Sequence, residues 1–193
     1  MRRYSRLLAS FVLASGCASQ AWALPKPMTL AATFDNWPSS DVKPPPGSPC
    51  PVRIVALQDV RRSPEMIGVY ERRPIYAPAD RTTWLKSIVR ALNSRGIDVA
   101  LDSDPGPPKA AVVKLDLTTA WINNTSANVS ASAVFKMQVT TATGESTEAF
   151  YRGGNSRMPY WGTGPGWLQK AMDVAFAKAL DAMAMDLLKT CKA

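Results

Sequence analysis

Ala111-Val112-Val113-Lys114-Leu115-Asp116-Leu117-Thr118-Thr119-Ala120-Trp121 and, a few residues later, Ala127 to Thr141 decide the fold of this chain. In the first stretch Val113, Leu115 and Leu117 alternate with Lys114, Asp116 and Thr118. In the second, Val129, Ala131, Ala133, Phe135, Met137 and Val139 alternate with Ser130, Ser132, Lys136 and Gln138. Successive side chains of a strand point to opposite faces, so this period of two predicts two long strands, each with one buried and one wet face. Antiparallel sheets have that character. Asn123-Asn124-Thr125 supplies the hairpin connection. Ala142-Thr143-Gly144 turns the chain into a third strand through Phe150 and Tyr151.

Upstream, Val52-Arg53-Ile54-Val55-Ala56-Leu57 reads as a largely buried strand, and Met66 to Tyr70 as a short one around Gly68. Asp80 is positioned as an N-cap. Trp84, Leu85, Ile88, Val89 and Leu92 then recur at helical spacing until Gly96 supplies a stop. Ile97 to Leu101 is a further short strand, followed by a turn-forming run, Ser103-Asp104-Pro105-Gly106-Pro107-Pro108. A last helix opens at Gly164-Pro165-Gly166, with a wide apolar face from Trp167 to Leu188. The order β, α, β, β, β, β, α predicts an α+β two-layer sandwich. Its sheet would be mostly antiparallel, of four to five strands, with two helices packed on one face. Residues 50–193 form this single domain.

The N-terminus reads as an export signal. Arg2, Arg3 and Arg6 precede a short apolar run from Leu7 to Leu13, far below the roughly 20 residues that span a bilayer. Cleavage after Ala23, at Ala21-Trp22-Ala23, would release a soluble product and make residues 1–23 the signal peptide. Alternatively, Leu13-Ala14-Ser15-Gly16-Cys17 resembles a lipobox and would leave Cys17 as a lipidated N-terminus. Residues 24–49 carry seven prolines, including Pro44-Pro45-Pro46, and are expected to form a disordered tether. The destination is the periplasm, or the outer membrane if Cys17 carries the lipid.

Of three cysteines, Cys17 belongs to the signal, which leaves Cys50 and Cys191 at opposite ends of the folded part. Two cysteines in an exported chain are more often bridged than free. Such a bridge would contribute up to roughly 5 kcal/mol in the chain-entropy treatment.

The chain contains no histidine, which removes His-based triads and His metal sites. No phosphate-cradling or dinucleotide glycine motif occurs, and the carboxylates Asp98, Asp102 and Asp104 read as turn formers. We therefore expect no enzyme and no cofactor. The net charge of +8 includes the three signal arginines, and residues 51–96 hold nine Lys and Arg against four Asp and Glu. Export, and aromatics that are not interleaved with these arginines, argue against nucleic acid. In Asp59-Val60-Arg61, Asp59 is expected to pin a loop through backbone N–H groups, with Arg61 closing an ion pair over it. The leading binding candidate is a loop from Arg152 to Gly162, in which Arg152, Arg157, Tyr160 and Trp161 would meet a partner. Its alternative is that Tyr160 and Trp161 fold back to cap the sheet.

Several of these features together resemble the YajG-type lipoproteins of Gram-negative envelopes. They are the strand ending in Asp59-x-Arg61, then Ile67-Gly68, the helix ending Leu92-x-x-x-Gly96, and the two alternating strands followed by a terminal helix. The resemblance spans about residues 50–191. It implies an envelope lipoprotein with no catalytic residues to carry over. It also implies a fold similar to periplasmic modules that bind other proteins, such as the small domain of TolB. The function so expected is a non-catalytic binding or accessory protein of the envelope acting on a protein partner. The alternative is an auxiliary protein of an envelope lipid or solute transport system.

Overall fold

Alternation carries the centre of the molecule. A computed structural model describes residues 26–31, 42, 49–102, 111–124, 128–157 and 165–191. The strands are β1 (Met28–Thr29), β2 (Cys50–Asp59), β3 (Met66–Tyr70), β4 (Arg73–Tyr76), β5 (Ile97–Leu101), β6 (Ala111–Asn124), β7 (Val129–Thr140) and β8 (Ser146–Arg157). The helices are α1 (Arg81–Arg90) and α2 (Pro165–Thr190). β6, β7 and β8 form the expected antiparallel meander, with Leu117 opposite Phe135 and Phe135 opposite Tyr151.

The other edge of β6 departs from expectation. β2 runs parallel to it along Ala111–Leu117, and β3 meets it again at Ile122, also parallel. β5 lies parallel to β2, β4 antiparallel to β3, and β1 parallel to β4. The sheet is therefore α+β in class but mixed and eight-stranded, not a mostly antiparallel sheet of four to five strands. The physical reason lies in the connections. A helix between β2 and β5 carries the chain back to the end where β2 began, so the returning strand lies parallel. The near-continuous apolar run from Ile54 to Leu57 in β2 is the mark of such a strand.

Both helices cover one face. Asp80 Oδ1 accepts the Thr83 backbone N–H at 2.9 Å and caps α1, and that bond holds the carboxyl below its usual range. After α1, Gly96 takes the left-handed conformation at φ 83° that ends the turn Asn93–Arg95. Phe176 of α2 meets Trp84 of α1 edge-on at 5.5 Å and Phe135 of β7 at 5.9 Å, so one aromatic side chain joins three elements. Arg95, 1% exposed, fastens the end of the first helical segment to α2. Its Nε donates to Asp181 at 2.7 Å, and its other nitrogens donate to the Ala91 and Ala177 carbonyls. Cys50 and Cys191 are joined as a disulfide, with a Cα–Cα distance of 5.8 Å.

The 24–49 stretch is not wholly a leash. Met28 and Thr29 pair with Ile75 and Tyr76 of β4, and Leu30 is buried. The Leu30 N–H donates to the Tyr76 carbonyl at 3.1 Å, and the Ala31 N–H to Gln169 Oε1 at 2.8 Å. β4 offers an otherwise open edge, and an apolar residue following two strand formers can occupy it. Among the described residues no helix is long and apolar enough to cross a membrane.

Candidate functional site

The glycine-bearing segment expected as a binding loop is strand as far as Arg157, and its residues 158–162 lie outside the described residues. β8 continues to Arg157, with Arg152 opposite Val134, Gly153 opposite Ala133 and Arg157 opposite Val129. The reason is close packing. A Cβ at Gly153 would run into the Ala175 carbonyl oxygen and lie 2.6 Å from the Ala179 nitrogen, so glycine lets α2 lie directly on the strand. Arg152 is exposed on the sheet face away from the helices. Tyr160, Trp161 and Cys17 lie outside the described residues.

That helix-free face holds the features most suited to contact. The β6 register shifts between Leu117 and Thr119, and the bulge turns Trp121 outward while Leu117 and Ile122 stay buried. Trp121 is 37% exposed and stands opposite Ser132, whose other neighbour is Gly154. The small residues leave the indole without bulky neighbours across the strands. Farther along, Phe150 is 64% exposed, and Lys136 pairs with Glu148 at 2.9 Å.

Beside Trp121 is a cavity of about 230 Å³, lined by Arg61, Arg62, Met66 and Thr119 among others. It exists because β2 leaves β6 at Asp59 and β3 joins it only at Gly68, so the intervening loop forms a wall. Asp59 and Arg61 shape that loop as expected. The Arg61 guanidinium donates to both Asp59 carboxylate oxygens, at 2.7 and 2.6 Å, and to the Pro64 carbonyl at 2.5 Å. Asp59 also accepts the Arg61 backbone N–H at 3.3 Å. The guanidinium sits 5.4 Å from the centre of the Trp84 ring, so the pair is packed as well as bonded.

The basic segment 51–96 accordingly contributes less free positive charge than its composition implies. Arg61 and Arg95 are both buried in ion pairs, and Arg73 bridges Glu71 at 3.3 Å. Sequence patterning missed Arg95 and Asp173, because a charged residue on a helix reads as solvated. Asp173 is only 7% exposed and accepts from Gln169 Nε2 at 2.7 Å, and burial pushes its carboxyl up to about 6. Tyr151 donates to Asp186 at 3.1 Å, and burial, then the nearby carboxylate, raises its phenol to about 12. Among the described residues no three Cys, Asp or Glu side chains gather as a metal site.

No family profile and no curated protein matches the chain. Its fold is similar to the crystal structure of protein XCC0632 from Xanthomonas campestris, of family DUF330. The TM-score is 0.53 at 17% identity, over 80% of this chain and 94% of that one. Weaker likenesses include a minor lipoprotein from Acinetobacter baumannii, with TM-score 0.40 and 10% identity over 68% and 91% of the two chains. Another is the rare lipoprotein B from Shewanella oneidensis, with TM-score 0.37 and 13% identity over 71% and 91%. At these identities the likeness is one of fold, and it supports no finer assignment to the YajG type.

Proposed function

We propose that this chain is an exported accessory protein of the bacterial envelope that works by binding a protein partner rather than by catalysis. The observation that carries the reading is Trp121, held outward by a strand bulge at the mouth of an adjoining cavity on the face the helices leave open. A large aromatic side chain beside a preformed hollow is the usual anchor of a protein interface. The Cys50–Cys191 bridge suits an oxidising compartment, and the basic, apolar, small-residue order of the N-terminus suits export. In this reading Cys17 is the lipid attachment point on the outer membrane, or cleavage after Ala23 leaves the protein free in the periplasm. The absence of histidine from the whole sequence is consistent with a binding role.

A pull-down from solubilised envelope membranes tests this with three baits. They are the native protein, Trp121→Ala, and the triple alanine variant of Arg157, Tyr160 and Trp161. A stoichiometric partner lost with Trp121→Ala supports the open face. Loss only with the triple variant moves the contact to the end of β8 and the residues after it, and retention by both removes the proposal.

The cavity lining favours a second reading, an auxiliary role in envelope lipid or solute transport. Arg62 is exposed beside apolar Met66 and Trp121, a combination that fits an anionic amphiphile. Vesicles containing phosphatidylglycerol should then bind the native protein and not Trp121→Ala, whereas neutral vesicles bind neither.

A further inference from the structure

β8 is the outer strand of the antiparallel half of the sheet. Among the described residues it pairs with β7 and with nothing on its other side. Its length of 12 residues is about twice that of a common strand, and its register with β7 runs without a shift. Edge strands are ordinarily blunted by proline, lysine, a bulge or brevity, because free N–H and C=O groups invite another strand. Ser146–Arg157 has no proline, lysine or bulge and is not short, and its charged residues are Glu148, Arg152 and Arg157.

Its side chains on the open face are arranged for one particular guest. Phe150, at 64% exposure, is the most exposed large apolar residue among those described. Glu148 stands two positions before it and Arg152 two positions after. A two-fold axis normal to the sheet through Phe150 would bring a second β8 alongside in antiparallel sense. Phe150 then meets its own copy, and Glu148 and Arg152 each face the opposite charge of the other chain. Centring the axis on Glu148 or Arg152 sets like charges against each other, and centring it on Ala149 or Tyr151 leaves both charges facing uncharged residues. Of these registers, only the one centred on Phe150 gives both Glu148 and Arg152 an opposite charge. It also places Ser146 opposite Gly154 and Thr147 opposite Gly153, small residues that allow close approach.

We infer that β8 is a homodimer edge, through which two copies of this chain join their sheets into one continuous sheet centred on Phe150. The axis normal to the sheet keeps the two helix-free faces, and both Trp121 side chains, on the same side. Lys136, which holds Glu148 at 2.9 Å within one chain, remains beside the new pair, because a carboxylate accepts from several donors. The inference goes beyond the partner-binding reading and does not depend on it.

Sedimentation of the purified protein over a concentration series, with charge-swapped variants, tests this. The native protein should dimerise reversibly. Symmetry makes each single swap, E148R or R152E, convert two attractive pairs into two repulsive ones, which weakens the dimer on the order of tenfold or more. The double variant E148R/R152E recreates both pairs and should associate more tightly than either single swap, short of the native protein because Lys136 then stands beside a like charge. Under oxidising conditions Phe150→Cys should cross-link to its own copy. All three side-chain changes are at exposed positions, and circular dichroism reports whether the variants remain folded. A native protein that stays monomeric up to about 100 µM, where even weak specific pairs assemble, overturns the inference. So does a dimer indifferent to the single swaps, or a double variant that associates no more tightly than they do.

Discussion

Ionising Asp173, a residue of α2 that is 7% exposed, sets a buried negative charge to which the Gln169 amide donates. Its carboxyl in the folded protein titrates near 6, against 3.8 for the ordinary group. Between those values the folded chain keeps a proton that the unfolded chain has released. Stability therefore falls as pH rises from about 4 to about 6 and then levels off, a loss of roughly 2 kcal/mol from this group. Asp173→Asn keeps an acceptor for Gln169 and carries no titrating proton. Its urea midpoint should exceed the native one at pH 7.5 and match it at pH 4, and a gap independent of pH would contradict this account. At this scale the sequence disclosed Asp59 and Arg61, because two charges two residues apart after a strand have a local reason to bond. It hid Asp173 and the Arg95–Asp181 pair, whose burial depends on where α2 lies against the rest of the fold.

Among the elements, α2 on β8 shows how a single missing Cβ sets a distance. At Gly153 a Cβ would meet backbone of α2, which cannot rotate aside, whereas at Gly154 the nearest atom, the Ala131 carbonyl oxygen, is 3.7 Å away. Gly153→Ala should therefore cost about 1–3 kcal/mol or more as the helix is pushed off the sheet. Gly154→Ala should be close to neutral, since a strand prefers alanine to glycine. Chemical denaturation distinguishes them, and equal losses would show that the helix does not rest on residue 153. The pair Gly153-Gly154 looked like loop because glycine doublets are turn signals in one dimension. A subtler pattern was present: Ala171, Ala175 and Ala179 recur every fourth residue on α2, a strip of small side chains that calls for a close neighbour. The long alternating strands β6 and β7 were legible, because their period of two is local and unbroken.

For the whole molecule, sequence order did not disclose sheet order. β2 sits between β5 and β6, and β3 shares an edge of β6 with β2, arrangements that depend on contacts between residues far apart. The cysteines were the exception, since a pair at the two ends of a domain needs no topology to be suspected. Replacing both with alanine should lower the unfolding free energy by up to about 5 kcal/mol, because the unfolded chain regains the freedom of a loop with its ends 141 residues apart. Urea unfolding with and without reductant measures that difference, and no difference would mean that the bond does not form. The same bond makes a closed ring of nearly the whole domain, with the β5–β6 and β6–β7 connections both inside it. A protease that severs either connection opens the ring without dividing the molecule. The nicked protein keeps its mass until a reductant parts the two pieces.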